Sequence, residues 1–204
     1  FRINLGSVDF FGGIVDQIGL PNVRIEELKE LLNRKDQSGL EELIAQLDLE
    51  QREKNVLRSF PHLTGDRETL DEARELVRNE RSVQAIKHLE SIYAIFEGLN
   101  LAHCLTIDLG EIRGFDYYSG ILFRVYVPGL GFEVAVGGRY DGLLAQFGYD
   151  TPAVGFSFTL ERLEQVLGNK LPTPTPTSME SSDESSVEEA VKLRRSGKVV
   201  RLCS

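Results

Sequence analysis

The chain lacks most of what would place it quickly. No apolar run approaches the roughly 18 residues needed to cross a bilayer, so the sequence offers no candidate span. Only two cysteines occur, Cys104 and Cys203, far apart and outside any paired motif. That usage fits a reducing compartment rather than a disulfide scaffold. There is no block of five or more Lys or Arg, and the formal charge is -9. Such a balance repels phosphate backbones and argues against strong non-specific binding of nucleic acid. The three histidines, His62, His88 and His103, stand in no HxxxH or HExxH arrangement, so no metal site is expected. The GxSxG nucleophile elbow and the Walker and Rossmann glycine patterns are absent. Acidic side chains are plentiful, but no pair is assignable to acid–base work. The opening FRINLGSVDFF has neither an initiator Met nor the features of a signal peptide, and it starts as if in mid-strand. The chain is therefore expected to be a fragment with sequence missing upstream.

What is present divides into blocks. With 204 residues, 41% of them hydrophobic, the chain can build one sizeable core and a smaller appended unit. Residues 1–5 read as a strand, and Ser7 as the cap of a helix over 8–17, closed by Gly19 and Pro21. Residues 22–99 carry helical stripes: Ile25, Leu28, Leu31 and Leu32; then Leu40, Leu43, Ile44 and Leu47; then a helix over 69–77 and another over 81–98. They predict a small all-helical module. From His103 the period changes. CLTIDLG, YYSGILFRVYVP and GFEVAVGG read as strands, joined antiparallel by the short turn at 129–131. GRYDGLLAQFG is a short helix or turn, and PAVGFSFTLERLEQVLG a strand feeding a helix. The tract 169–186, with PTPTPTSMESSDESS, is a low-complexity linker. Residues 187–204 form a terminal helix–strand element. The fold class is α/β in the broad sense, with strands and helices segregated as in α+β proteins.

Chemistry-bearing residues concentrate between 113 and 162. In IRGFDYYSG, Arg113 offers a rigid five-donor fork suited to carboxylate or phosphate. Asp116 sits near it, and Tyr117 and Tyr118 point to opposite faces if the segment is extended. The plain alternative is a turn with a surface Arg–Asp pair and two structural tyrosines. In GGRYDGL, two glycines permit close approach by a ligand, Tyr140 can donate a hydrogen bond, and Asp141 can orient Arg139; a strand-to-helix turn with a salt bridge explains the same residues. In GFSFTLERL, Arg162 near a helix start can meet a phosphate or stack on a base, or can be an ordinary surface arginine.

RGFDYYSG, GGRYDGL and TPAVGFSFTLERL, in this order, closely resemble the catalytic domain of class II histidyl-tRNA synthetases: its histidine-recognition motif, its glycine-rich strand and turn, and its motif 3. The resemblance covers residues 1 to 168, with 22–99 where such proteins carry an insertion. It implies a class II aminoacyl-tRNA synthetase-like antiparallel sheet flanked by helices, with 1–21 and 100–168 forming part of that domain. Motifs 1 and 2 are not in these residues, so this piece alone is expected to lack aminoacylation. Two groups share the fold: the synthetases, and the synthetase-like regulatory subunits of ATP phosphoribosyltransferase. The resemblance places Arg113 at the substrate carboxylate or reaction centre and Tyr118 and Tyr140 along the histidine side. Asp116, Tyr117 and Arg139 complete that histidine-binding or regulatory set. Arg162 becomes the motif 3 arginine, vestigial in a regulatory chain. Thr159 where synthetases usually carry glycine, the acidic balance, the LGEIRGFDYYSG stretch and the lack of a full anticodon-binding domain favour the regulatory group. The expectation is a non-catalytic, cytoplasmic regulatory subunit without metal or cofactor. Its expected partner is the short-form ATP phosphoribosyltransferase catalytic subunit of the first step of histidine biosynthesis. It would be a homodimer within a hetero-oligomer, with histidine as ligand and feedback signal and no tRNA. The alternative is a histidyl-tRNA synthetase that activates histidine with ATP.

Overall fold

The computed structural model describes residues 1–113, 117–168, 177–180 and 184–203. The chain divides into two compact units, Phe1–Val166 and Leu167–Ser204. In the first, the order is β1 (Arg2–Ser7), α1 (Val8–Ile18), α2 (Asn22–Arg34), α3 (Gln37–Gln46), α4 (Gln51–Ser59), β2 (Thr64–Gly65), α5 (Glu68–Leu76) and α6 (Glu80–Gly98). Then come β3 (Leu105–Asp108), β4 (Ile121–Tyr126), β5 (Glu133–Arg139), α7 (Asp141–Ala145), β6 (Val154–Phe158) and α8 (Leu160–Leu167). The six strands form one sheet in the order β2-β3-β1-β4-β5-β6. All neighbours are antiparallel except β1 and β3, which run parallel with Ile3 opposite Leu105 and Leu5 opposite Ile107.

Strand alternation assigns two unlike faces. Ile3 and Leu5 of β1 share one face with Leu105 and Ile107 of β3 and with Phe123 of β4, by register. This apolar face meets α1 and α6. Phe10, Phe11, Ile14 and Val15 of α1 are buried, as are Ala85, Ile86 and Leu89 of α6. Arg81 fastens the two helices, with Nε 2.8 Å from Asp9 and Nη1 2.8 Å from Asp16. Asn79 caps α6 by accepting from the Ser82 N–H at 2.7 Å, and the Ser82 hydroxyl donates to the Phe10 carbonyl at 2.8 Å. The helix-rich segment is built on the same core. Phe60 is fully buried, with its ring edge-on to Phe10 and Phe11 at 5.8 and 5.5 Å. Leu28, Leu43, Ile44 and Leu57 belong to the same cluster.

Several details differ from expectation. The segment 22–99 is not all helical. The two-residue strand β2 leaves it to pair with Asp108 and Ile107 of β3. A strand this short has no periodicity to read; its partner supplies its identity. Helix α4 also escaped the pattern, because its apolar residues are Val56 and Leu57 amid polar ones. Its start is fixed instead by Glu53, whose carboxylate accepts from the Glu50 N–H at 2.9 Å. Ser7 occupies the cap position of α1 without a side-chain cap bond. The expected antiparallel strands are joined by the parallel β1–β3 pair, which the long helical crossover between them permits.

The second unit contains β7 (Thr177–Glu180), α9 (Glu184–Arg195) and β8 (Val200–Cys203), with β7 and β8 parallel. The tract 169–186 was expected to be a linker throughout. Its residues 177–180 instead form β7, where backbone pairing with β8 satisfies groups whose composition favours no structure, and residues 184–186 open α9. Residues 169–176 and 181–183 lie outside the described residues.

Phe60 is the point where the helical segment meets α1. Phe60→Ala is expected to cost about 3–5 kcal/mol in urea denaturation. A loss below about 1 kcal/mol would show that the two parts do not share a core.

Candidate functional site

The face of the sheet opposite α1 and α6 is polar. By register it carries Asn4 of β1, Thr106 and Asp108 of β3, and Arg124 of β4, with Gly138 and Gly155 on β5 and β6. A charged side chain in the middle of an apolar strand requires partners, since burying an unpaired charge is costly. Arg124 finds two. Its Nε lies 3.2 Å from a Glu111 oxygen and its Nη1 3.9 Å from Glu133. The Arg124 side chain is only 14% exposed, and that Nε has no hydrogen-bond partner among the described residues.

Glu111 is the centre of this arrangement. Its side chain is 5% exposed. It accepts from the Arg113 backbone N–H at 3.1 Å, from Arg113 Nε at 2.9 Å and from Arg113 Nη2 at 2.5 Å. These bonds hold the Arg113 guanidinium still more firmly protonated than usual, against the opposing effect of burial. Farther along, Arg162 donates through Nη1 to the Glu133 backbone carbonyl and lies 3.2 Å from the Glu133 carboxylate. Its guanidinium also sits 5.2 Å from the centre of the Phe132 ring. Burial works to raise the Glu133 carboxyl, but hydrogen bonds from its own backbone and from Arg162, with the Arg124 charge, bring it below the usual range. Arg113, Glu111, Arg124, Glu133 and Arg162 thus form one alternating row with an excess of positive charge.

Beside this row stands a tyrosine cluster. The Tyr117 ring meets Tyr118 edge-on at 5.0 Å and lies tilted against Tyr140 at 5.1 Å. The two neighbouring tyrosines therefore touch each other rather than diverge to opposite faces, because residue 117 is in a turn and β4 begins only at Ile121. Tyr118 and Tyr140 sit over glycines. A Cβ on Gly138 would fall 2.7 Å from the Tyr118 ring and 2.6 Å from the Ile121 carbonyl oxygen, and one on Gly155 would collide with the Tyr140 hydroxyl. Glycine at these positions lets the tyrosine side chains approach the strands closely. Burial pushes the Tyr118 hydroxyl pKa up, with the Arg124 charge opposing it.

The structure brings Arg113, Tyr117, Tyr118, Tyr140 and Arg162 to this region. Asp116 lies outside the described residues. Arg139 does not join them: its register opposite Val154 puts it on the helix-side face of the sheet. There its Nε pairs with Asp141 at 2.6 Å. Asp141 also accepts from the Ala153 N–H at 3.1 Å, and its N–H donates to the Ser119 hydroxyl at 2.7 Å, which fixes the turn into α7. The Arg139 hydrogen bond, foremost, holds the Asp141 carboxyl below its ordinary range. Sequence reasoning missed Glu111, Arg124 and Glu133. The available signal was Arg124, a lone charge inside the apolar strand ILFRVY. Among the described residues, no group of three or more His, Cys, Asp or Glu is placed to hold a metal ion. No helix there is long and apolar enough to cross a membrane.

A family model described as histidyl-tRNA synthetase matches residues 1–163. The chain belongs to this family. A curated relative from Desulfitobacterium hafniense (strain Y51), named ATP phosphoribosyltransferase regulatory subunit, is 38% identical over 204 residues, which is 100% of this chain and 53% of the relative. A relative of the same name from Syntrophotalea carbinolica is 40% identical over 171 residues, 84% of this chain and 40% of the relative. The chain therefore spans about half the length of the curated relatives it matches. A crystal structure described as an ATP phosphoribosyltransferase regulatory subunit/histidyl-tRNA synthetase from Bacillus halodurans C superposes with a TM-score of 0.77 at 27% identity, covering 98% of this chain and 53% of the other. The mixed sheet flanked by helices is thus the class II synthetase fold of this family.

Gly138→Ala is expected to cost about 1–3 kcal/mol and to displace the Tyr118 ring. The chain has no Trp and six Tyr, three of them in this cluster, so a change at the cluster is expected in the difference near-ultraviolet circular dichroism spectrum between variant and parent. An unchanged spectrum with unchanged stability would show that Tyr118 does not rest on Gly138.

Proposed function

We propose that this chain is part of a regulatory subunit of ATP phosphoribosyltransferase, working with a short catalytic chain in the first step of histidine biosynthesis. The observation that carries this reading is the name borne by relatives 38% and 40% identical to it. The geometry of Arg162 agrees. Its guanidinium is engaged by Glu133 and Phe132, whereas an ATP-using site needs such a group available to phosphate. Under this reading the subunit contributes no catalytic residue, forms a homodimer within the larger complex, and works in the cytoplasm.

Histidine is the proposed ligand, lying on the polar face beside Tyr118 and Tyr140 with its carboxylate toward Arg113. Glu111 holds the Arg113 fork in place before the ligand arrives, which lowers the ordering cost of binding. Feedback then requires that histidine bind one arrangement of the complex more tightly than another. Arg113 and Arg162, both present, are what a histidyl-tRNA synthetase would also retain, and that second reading predicts histidine-dependent exchange of pyrophosphate into ATP by the full-length protein.

The test mixes the full-length protein with the catalytic chain and follows phosphoribosyl-ATP formation at increasing histidine. Activity is expected to need both chains and to fall with histidine. Arg113→Ala should raise the half-inhibiting concentration about tenfold or more, the loss of one charge-assisted pair. Full activity of the catalytic chain alone, unaffected by this protein, would contradict the reading; pyrophosphate exchange would replace it with the synthetase.

A further inference from the structure

The row of charges on the polar face has two firm ends and a loose middle. At one end Arg113 holds Glu111 twice, with Nε 2.9 Å from Oε1 and Nη2 2.5 Å from Oε2. At the other end Arg162 donates to the Glu133 backbone carbonyl and lies 3.2 Å from Oε1 of its carboxylate. Arg124 stands between these pairs and belongs fully to neither. Its Nε is 3.2 Å from the Glu111 Oε2 that Arg113 already holds. Its Nη1 is 3.9 Å from the Glu133 Oε1 that Arg162 already holds.

Arg124 therefore contests one oxygen on each side. Its Nε is buried and makes no hydrogen bond among the described residues. A buried donor without an acceptor is costly, so arrangements that give Arg124 one full acceptor compete with this one. Two such arrangements exist, one closed on Glu111 and one closed on Glu133. Among the described residues, no ion pair or hydrogen bond joins Arg113 to Glu133, or Arg162 to Glu111. Whatever passes between the two ends along this row passes through Arg124.

The direction of the effect follows from the contested oxygens. A carboxylate that takes up Arg113 Nη2 leaves the Nε bond to Glu111 in place and releases Oε2. Arg124 then closes on Glu111 and withdraws from Glu133, whose carboxylate is left wholly to Arg162.

We infer that Arg124 is a positioning residue that couples the two ends of the row, moving between Glu111 and Glu133 so that a carboxylate bound at Arg113 tightens the hold of Glu133 on Arg162. Its input is the ligand carboxylate proposed for Arg113, so the ligand-driven step rests on that reading. The exchange itself also operates in the protein without ligand. By reciprocity, an anion that draws Arg162 away from Glu133 weakens the carboxylate at Arg113 by the same factor.

The test uses the full-length protein and phenylglyoxal, which modifies accessible guanidinium groups, with the rate at each arginine read by peptide mass spectrometry. Without ligand, Glu133→Gln sends Arg124 to Glu111 and should speed modification of Arg113. Glu111→Gln sends Arg124 to Glu133 and should speed modification of Arg162. Each change should be about twofold or more, the lower range for residues in one shared network. Both should vanish when Arg124→Gln is added. Arg58, paired with Glu41 in the helical segment, should be unchanged throughout. Added L-histidine should slow Arg162 about twofold or more in the parent and leave it unchanged in Arg124→Gln. Cross-effects that are absent, that persist without Arg124, or that come with an equal rise at Arg58 would overturn the proposal. So would protection of Arg162 by histidine in Arg124→Gln, which would mean direct shielding by the ligand. Histidine that does not bind ends the histidine reading alone, while the ligand-free cross-effects still decide the exchange.

Discussion

The polar face of this protein is organised around one buried carboxylate held between two guanidinium groups. Glu111, just beyond the end of β3, bonds Arg113 through two side-chain nitrogens and pairs with Arg124 of β4. Ion pairs removed from water gain little net stability, but removing one partner leaves the other charged and buried, at a cost of about 3–5 kcal/mol. The row from Arg113 to Arg162 is therefore interdependent. Its geometry is what a carboxylate-binding surface requires: donors fixed in direction, with one cation more than the anions balance. The apolar face does the opposite work. Leu5, Ile107 and Phe123 bind the sheet to α1 and α6.

Much of this was legible in the sequence, and particular residues show why. Helices α2, α3, α5 and α6 announced themselves through apolar stripes such as Leu40, Leu43 and Ile44, because a helix buries one side. Strands β3 to β6 were readable from alternation and from the glycines between them. Helix α4 was not, since two apolar residues make no stripe and a local capping bond decides its start. Strand β2 was not, because two residues have no period. The parallel pairing of β1 with β3 depends on residues about a hundred positions apart, which local pattern does not encode.

The site followed the same division. The motifs pointed to Arg113, Tyr118, Tyr140 and Arg162, since their identities carry the family resemblance, and the structure gathers these four in one region. Arg139 belongs to the same motif as Tyr140, but one step along a strand turns a side chain to the other face, and it faces the helix side with Asp141 as partner. Tyr117 and Tyr118 were expected to diverge as in a strand, and the turn that holds them brings their rings together. Glu111, Arg124 and Glu133 meet through ion pairs between segments distant in sequence, which emerge only when the fold is known. Half-buried charges on a strand are the feature that deserves a search for partners when only sequence is in hand.

The most direct test of the account is a crystal structure of the full-length protein grown with L-histidine. The account predicts histidine on the polar face, its ring among Tyr118 and Tyr140 above Gly138 and Gly155, and its carboxylate bonded to an Arg113 still tied to Glu111. Histidine bound elsewhere, with this face unchanged and Arg113 turned away from Glu111, would contradict it.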